Sequence, residues 1–198
     1  MAMIWYELTR WLAYRSIKHP AMRTYVTTLP LGLSIILTVL YLLLPVKPPL
    51  TSPGGLLSNM LTLLAVLPGF FIAALAAVAT FDRPEMDEQM PEPAPTLAIY
   101  RQGAWLDVNL TRRTFLTYLF SYLSVLSLLA AALCIGGQAL GPWIESLFAP
   151  SNAGACKYAA VLASKGLFMF MLLAVCSSLL VTMLHGIYFI AERMHQPH

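Results

Sequence analysis

The sequence predicts an all-α integral membrane protein with four transmembrane helices. Three observations support this fold class: 59% of the 198 residues are hydrophobic, only 11% are charged, and four apolar runs reach the length of a membrane span. Soluble domains contain roughly 45–50% apolar and about 25% charged residues. The composition therefore excludes an ordinary soluble domain and leaves the loops as the main polar surface. An interfacial amphipathic helix at the amino terminus and a short loop with a β-hairpin complete the predicted fold.

The four spans follow from length, because a hydrocarbon core of about 30 Å needs roughly 20 helical residues at 1.5 Å each. The runs cover residues 25–45, 56–81, 113–133 or slightly beyond, and 158–190. The last run is longer than a span requires, so this helix is expected to tilt or to project from the bilayer. Pro68 predicts a packing kink in the second span, and Gln138 and Glu145 are assigned to the hairpin that joins the last two spans.

These runs divide the chain into five parts. They are an amphipathic interfacial helix at 1–24, transmembrane helices 1 and 2 at 25–81, a cytoplasmic loop with a hairpin at 82–112, transmembrane helices 3 and 4 at 113–190, and a cytoplasmic tail at 191–198.

The basic residues set the predicted orientation. One side of the membrane receives only Lys47 and Lys157, with Lys165 inside the start of the fourth run. The other side receives Arg10, Arg15, Lys18, Arg23, Arg83, Arg101, Arg112, Arg113 and Arg193. Because cytoplasmic loops are enriched in Lys and Arg, we expect a multi-pass membrane protein with both termini and the central loop in the cytoplasm.

The amino-terminal stretch MIWYELTRWLAYRSIKHP predicts one amphipathic helix that Pro20 ends. Its apolar stripe consists of Ile4, Trp5, Leu8, Trp11, Leu12 and Ile17. Such a helix lies in the headgroup layer. It would serve either as a topology anchor or as a helix that binds a partner or senses lipid.

Small residues recur at four-residue spacing on two spans, where they allow helix backbones to approach closely. The second span carries Ala65, Gly69, Ala73 and Ala77, and the fourth carries Ala174, Ser178, Thr182 and Gly186. These faces predict a tight helical bundle and association between copies of the chain.

Few ionisable groups fall within the spans, and no Asp or Glu lies at mid-membrane. A proton-coupled carrier is therefore disfavoured, because buried charges in lipid usually mark such a function. Lys165 either extends to the outer interface or lines a water path. His185 is either a structural histidine or a gating or proton-sensing group.

The chain shows no pattern typical of an enzyme, a metal site or a cofactor site. Three cysteines have no paired metal-ligand spacing, and no nucleophile triad or phosphate-binding glycine loop is present. We therefore predict a non-enzymatic protein without a cofactor. Cys134 and Cys156 bracket the outer hairpin, so a disulfide between them stays open.

The central loop has two halves with different compositions. The first, FDRPEMDEQMPEPAPT, is acidic and proline-rich and predicts an extended, solvated linker. The second predicts a β-hairpin, TLAIY and WLDVNL about a turn at Gly103, followed by Thr111 as the cap of the third span. The hairpin would rest on another copy, on the amino-terminal helix or on a soluble partner.

A docking hypothesis for this loop names five residues. Tyr100, Arg101 and Trp105 are the expected contact anchors, because aromatic and basic side chains dominate interface energetics. Asp87 and Glu88 would steer a basic partner surface toward them. The alternative is that Tyr100 and Trp105 only settle the loop onto the lipid headgroups.

Four spans, cytoplasmic termini and one cytoplasmic loop followed by LTRRTFLTYLFSYLSVLSL resemble the small membrane subunits of prokaryotic anti-phage defence systems, most nearly the Kiwa membrane component. The resemblance is architectural, so no residue role is carried over from it. It implies a homo-oligomeric inner-membrane assembly, with a tetramer as the expected form. It also implies that this assembly senses infection and recruits a soluble, DNA-binding subunit. We expect no direct binding of nucleic acid by this chain itself.

Three functional hypotheses follow. The first is an oligomeric sensor or scaffold with a soluble cytoplasmic partner, and the loop and the lack of buried acidic groups favour it. The second is a pore-forming or membrane-depolarising effector, which an ion leak from the purified protein in liposomes would favour. The third is a small transporter or an accessory subunit of a membrane enzyme.

Overall fold

The computed structural model describes residues 2–46, 48–90, 92–101, 104–147 and 155–193, and these residues are mostly helical. Four helical segments are long and apolar enough to cross a membrane, and we call them spans 1 to 4. Their bounds are Thr24–Leu43, Leu56–Thr80, Arg112–Trp143 and Leu162–Glu192. The prediction of four such helices and a small hairpin is confirmed.

The elements follow one another in the order α1 Ala2–Thr9, a 3-10 segment Arg10–Ser16, a π turn Thr24–Thr28, α2 Leu29–Leu43, α3 Leu56–Leu64, α4 Leu67–Thr80, α5 Pro84–Asp87, β1 Thr96–Arg101, β2 Ala104–Asn109, α6 Arg112–Leu147, α7 Ala155–Tyr188 and a final π turn Phe189–Arg193.

Two local sequence signals act as predicted. Span 2 is interrupted between α3 and α4, with Pro68 in the first turn of α4, where its missing N–H removes no helical bond. At the start of α6, the backbone N–H of Thr114 donates to Thr111 Oγ1 over 3.2 Å. Thr111 is therefore the cap that the sequence predicts.

The spans form an open row instead of a closed bundle. Span 1 packs on span 4, span 4 on span 3, and span 3 on both helices of span 2. In the most apolar window of span 3, 56% of the residues are buried, compared with 22% for span 1 and 17% for span 2. Spans 1 and 2 therefore form the two edges of the row, and the predicted tight bundle is replaced by the order 1-4-3-2.

The third helix extends beyond its predicted end. Gln138 and Glu145, which the sequence analysis assigns to a connecting hairpin, both lie within α6. A Cβ at Gly137 would lie 2.5 Å from the ring of Phe168 and 2.9 Å from Leu57. Spans 2 and 4 therefore pack closely on this part of α6, and this packing explains why the helix continues.

The predicted amino-terminal helix is divided in two. The α-helix ends at Thr9, and the 3-10 segment that follows packs on α6 with Ala13 and Tyr14 buried. Ile4, Trp5 and Leu8 stay between 60% and 67% exposed. The second half of the predicted apolar stripe therefore packs on span 3, whereas its first half stays on the surface.

Spans 1 and 3 both begin at one end of the row. We call this end the hairpin end, because the amino-terminal segment and the β-hairpin lie there. The opposite end, which contains Leu57, Gly137 and Phe168, is called the far end.

Candidate functional site at the hairpin end

The two strands of the hairpin have different surroundings. They pair in the antiparallel register Leu97–Val108 and Ile99–Leu106. In β1, Leu97 is 1% exposed and Ile99 packs against the core, whereas every residue of β2 is exposed. Strand β1 is therefore held by the protein, and β2 forms the outer side of the hairpin.

The chain before span 1 fastens β1 from its other side. Lys18 N donates to Thr96 O over 2.8 Å, and Thr96 N donates to Lys18 O over 3.3 Å. The Lys18 ammonium also pairs with Asp107 at 2.7 Å. Within the described residues the sheet has two strands, so the free edge of β2 is not covered by a third strand.

An aromatic cluster joins the hairpin to α1. The ring centroid of Tyr6 lies 6.3 Å from that of Tyr100 and 5.9 Å from that of Trp105. The guanidinium of Arg10 lies 5.1 Å from the Tyr6 centroid and 5.0 Å from the Tyr118 centroid. It also donates a 2.7 Å hydrogen bond to the Tyr118 hydroxyl. Among the described residues, the hairpin therefore rests on the amino-terminal helix, which is one of its three predicted supports.

Two predicted anchors belong to this cluster and are still accessible. Tyr100 is 49% exposed and Trp105 is 62% exposed. Arg101 ends β1, and its side chain lies outside the described residues. Sequence reasoning missed Tyr6 and Arg10, although their i,i+4 spacing on a helix would have placed a cation beside an aromatic ring.

The predicted steering carboxylates form ion pairs within the chain. Asp87 accepts two hydrogen bonds from Arg113, at 2.7 Å and 3.0 Å. The hydrogen bond from Arg113 holds the pKa of Asp87 below its usual value. Glu88 lies 3.7 Å from Arg112, whose side chain is 7% exposed. Both carboxylates therefore tie the loop to the start of α6.

The first half of the central loop is not the extended, solvated linker that its composition predicts. Met86 and Met90 are 2% and 5% exposed. The backbone N–H of Met90 donates to Leu110 O over 3.2 Å, and that of Arg112 donates to Glu88 O over 3.2 Å. The two buried methionines and these backbone hydrogen bonds hold the segment against the protein. Amino-acid composition alone does not predict such contacts.

A cleft beside the hairpin surrounds His185. Its Nδ1 is hydrogen-bonded to the Tyr14 hydroxyl at 3.0 Å, and its ring stacks on Tyr25 with centroids 4.6 Å apart. The cleft measures about 210 Å³ and is lined by Phe115, by parts of residues 19–25 and 90–95, and by the end of span 4. Burial, with a smaller contribution from Tyr122, raises the pKa of Tyr14. We call this feature the histidine cleft.

The predicted small-residue faces have different positions. On span 2, Ala65, Gly69 and Ala73 are exposed and Ala77 is half-buried. On span 4, Ala174 is half-buried, whereas Ser178, Thr182 and Gly186 are buried.

The other predicted groups lie apart from the hairpin end. Lys165 interacts electrostatically with Tyr41 toward the far end of spans 4 and 1. Cys134 is a free thiol, and the Cys156 side chain lies outside the described residues.

The arrangement offers a binding surface and a cleft. Among the described residues, no group of three or more His, Cys, Asp or Glu side chains is placed to hold a metal ion.

No protein-family model, curated protein or solved structure matches the chain. The resemblance to the Kiwa membrane component therefore stays a prediction.

Proposed function

We propose that this chain is a non-enzymatic scaffold of the bacterial inner membrane that docks a soluble cytoplasmic protein on strand β2. The observation that carries the proposal is the exposure of β2 along its whole length while β1, Tyr6 and Lys18 hold the hairpin in place. A strand with a free edge can accept a strand from a partner, and fixing it in advance lowers the entropy lost on binding.

Four further points support this proposal. The four apolar spans support membrane insertion, and the basic residues near the hairpin support a cytoplasmic hairpin end. The exposed small-residue face of span 2 supports a homo-oligomer. The architectural resemblance supports an anti-phage defence setting, in which the scaffold would bring its partner to the membrane.

Copurification from membranes tests the docking surface. Leu106 and Val108 are 50% and 43% exposed, and threonine at both positions keeps the β propensity while removing apolar contact area. We expect this double variant to insert normally and to lose a soluble protein that copurifies stoichiometrically with the wild type.

Trp143→Ala provides the matched control, because Trp143 is 61% exposed in span 3, at the end opposite the hairpin. It should leave the partner bound. Equal recovery of the partner with Leu106→Thr/Val108→Thr and with the wild type would exclude β2 as the docking surface.

A further inference from the structure

One imidazole ring joins four segments of the chain at the hairpin end. His185 lies near the end of span 4, and its Nδ1 is hydrogen-bonded at 3.0 Å to the hydroxyl of Tyr14 in the 3-10 segment. Its ring stacks on Tyr25 at the start of span 1, with centroids 4.6 Å apart and planes inclined by 7°. Phe115, at the start of span 3, meets it edge to face with centroids 6.1 Å apart. A change in the charge of His185 therefore affects the contacts of all four segments.

The Tyr14 hydroxyl requires an acceptor at His185. Tyr14 is 0% exposed, and burial raises its pKa, so the hydroxyl keeps its proton. Among the described residues, its only hydrogen bond is the one to His185. If Nδ1 carried a proton, the buried hydroxyl would lose its acceptor, which is an unfavourable arrangement for a buried donor. The geometry therefore favours a neutral His185 that accepts through Nδ1 and carries its proton on Nε2.

A second histidine of the same cleft is also an acceptor. The backbone N–H of Ala21 donates to Nδ1 of His19 over 3.2 Å. Because a backbone N–H can only donate, this nitrogen carries no proton and the His19 ring is neutral. His19 and His185 line one cleft of about 210 Å³, and each is half-buried. Both imidazoles therefore make these contacts in their neutral form.

The surroundings of the cleft do not favour positive charge. Among the described residues, its titratable lining side chains are His19, Tyr25, His185 and Tyr188. Span 3 and the central loop contribute the apolar side chains of Phe115, Met90 and Pro95. Glu92 in the loop and Glu192 at the end of span 4 are exposed and lie outside this lining, and the neighbouring cation Arg23 is exposed as well.

Two charged imidazoles in this cleft would repel each other without a carboxylate in the lining between them. The ring of Tyr25 would give a charged His185 a cation–π contact. This contact offsets the charge of one ring only, and it does not replace the acceptor that Tyr14 and Ala21 each lose. Protonation of both rings is therefore unfavourable while the cleft stays closed.

We propose that the histidine cleft is a pH sensor, in which residues 19–25 stay against span 4 while both imidazoles are neutral and separate from it when both are protonated. Protonation of His19 ends the bond from Ala21, and protonation of His185 makes Nδ1 a donor that faces the donor hydroxyl of Tyr14. The closed cleft binds fewer protons than the open one. Its stability is therefore full above about pH 6.5, where a free imidazole titrates, and falls as the pH decreases below this value.

The cleft lies where it can act on the hairpin. Lys18, next to His19, pairs with Thr96 at the start of β1 through two backbone hydrogen bonds, and Pro95 lines the cleft. Separation of residues 19–25 would therefore remove a support of β1 when the pH at the hairpin end falls. This regulatory consequence rests on the cytoplasmic docking surface proposed above, whereas the pH sensor itself does not.

Hydrogen exchange of the full chain in lipid nanodiscs, corrected for the intrinsic pH dependence of amide exchange, tests the sensor. The amides of Met22, Thr24 and Tyr25 donate to backbone carbonyls of residues 19–25, so their exchange reports the opening of this segment. A histidine that is neutral in the closed cleft and titrates near pH 6.5 in the open one predicts about a tenfold loss of protection between about pH 7.5 and about pH 5.5. Two such histidines predict about a hundredfold loss.

The far end provides an internal control. Residues 49–57 contain no ionisable side chain. The amides of Gly55 and Leu56 donate to Ser52 O and Pro49 O, so their protection should not change over the same pH range.

Matched variants separate the two histidines. Asparagine keeps a side-chain acceptor near the position of Nδ1 but does not titrate. His19→Asn and His185→Asn should each reduce the loss of protection to about tenfold, and the double variant should show no pH dependence. Because the assay contains no partner protein, failure of the sensor is distinguishable from failure of the docking surface.

A loss of protection smaller than about tenfold in the wild type would overturn the proposal, as would equal losses in the wild type and the double variant. If the double variant does not fold, nitrogen NMR of the unmodified protein decides, because it distinguishes a ring protonated on Nε2 alone from one protonated on both nitrogens. The rings of His19 and His185 should gain the second proton as residues 19–25 lose protection. Doubly protonated rings in a segment that stays protected would also overturn the sensor.

Discussion

The small-residue faces of spans 2 and 4 have the same four-residue spacing but different neighbours. On span 4, a Cβ at Gly186 would lie 3.0 Å from Leu119 of span 3. On span 2, a Cβ at Gly69 would have no atom within 4 Å. The spacing therefore shows that a helix can approach closely, but it does not show whether that helix belongs to the same chain.

The position of each span in the row explains the difference. Span 4 lies between two neighbours, so both of its sides are used within the chain. Span 2 lies at an edge and packs on span 3 with bulky residues at seven-residue spacing, namely Leu57, Leu64, Phe71 and Val78, each at most 6% exposed. Its small face points away from span 3 and is available to a second copy.

The largest expected effect is the difference in stability between leucine substitutions at Gly186 and at Gly69. Gly186→Leu would overpack the contact with the fully buried Leu119 and should destabilise the fold by about 3 kcal/mol. Gly69→Leu should change the unfolding free energy by less than about 0.5 kcal/mol. Reversible unfolding in detergent measures both, and equal losses would contradict the different surroundings of the two faces.

The next effect compares two adjacent residues of span 2. Phe71 is 1% exposed and Phe70 is 66% exposed. Phe71→Ala would leave a cavity on the order of 100 Å³, which at about 24 cal/mol per Å³ costs roughly 2 kcal/mol. The transfer contribution is absent in lipid, so this packing loss is the main term. Phe70→Ala in the same unfolding assay should be near neutral, and a reversed order would show that span 2 faces the other way.

A smaller effect is expected on association between copies. Leucine at Gly69 and Ala73 would keep the exposed face of span 2 from close approach. We expect association in detergent to weaken about tenfold, which corresponds to about 1.4 kcal/mol, with monomer stability unchanged. Analytical ultracentrifugation measures the association. An unchanged oligomer would mean that this face contacts only lipid.

The smallest effect concerns two ion pairs at the hairpin end, which both have a shortest distance of 2.7 Å. Lys18 has 61% of its side chain exposed, whereas Arg113 has 24%. The depressed pKa of Asp87 means that its pair stabilises the loop above the ordinary aspartate pKa. This stabilisation is lost as the pH falls through the lowered value.

Hydrogen exchange of residues 84–90 measures this dependence. Asp87→Asn should increase exchange at neutral pH and remove its change in the acidic range. Asp107→Asn, in the more exposed pair, should leave these residues unaffected. Equal protection in Asp87→Asn and the wild type would show that Met86 and Met90 alone hold the loop.

The features that the sequence predicts correctly are local. Apolar length places the four spans, the two strand-like runs form the paired strands β1 and β2, and Thr111 caps the third span. The predicted turn residue Gly103 lies outside the described residues. The order 1-4-3-2 is not encoded in any one segment, because it depends on contacts between distant residues. Tyr14 and His185, for example, are hydrogen-bonded across a separation of 171 residues.

The candidate site was predicted only in part, for the same reason. Aromatic character marked Tyr100 and Trp105, and both lie on the accessible hairpin. Composition suggested that Asp87 and Glu88 were solvated, but it cannot show that Arg113 and Arg112 lie opposite them. The burial of Met86 and Met90 likewise depends on contacts at the hairpin end that form only in the folded protein.

Photocrosslinking in living cells tests most directly whether β2 docks a soluble protein. A photoreactive phenylalanine analogue would replace Leu106, with Trp143 as the matched position in span 3. The account predicts one discrete crosslinked soluble protein from position 106, absent from position 143 and lost when Val108→Thr is added. Crosslinks from position 106 to lipid alone, or to the same proteins as from position 143, would contradict it.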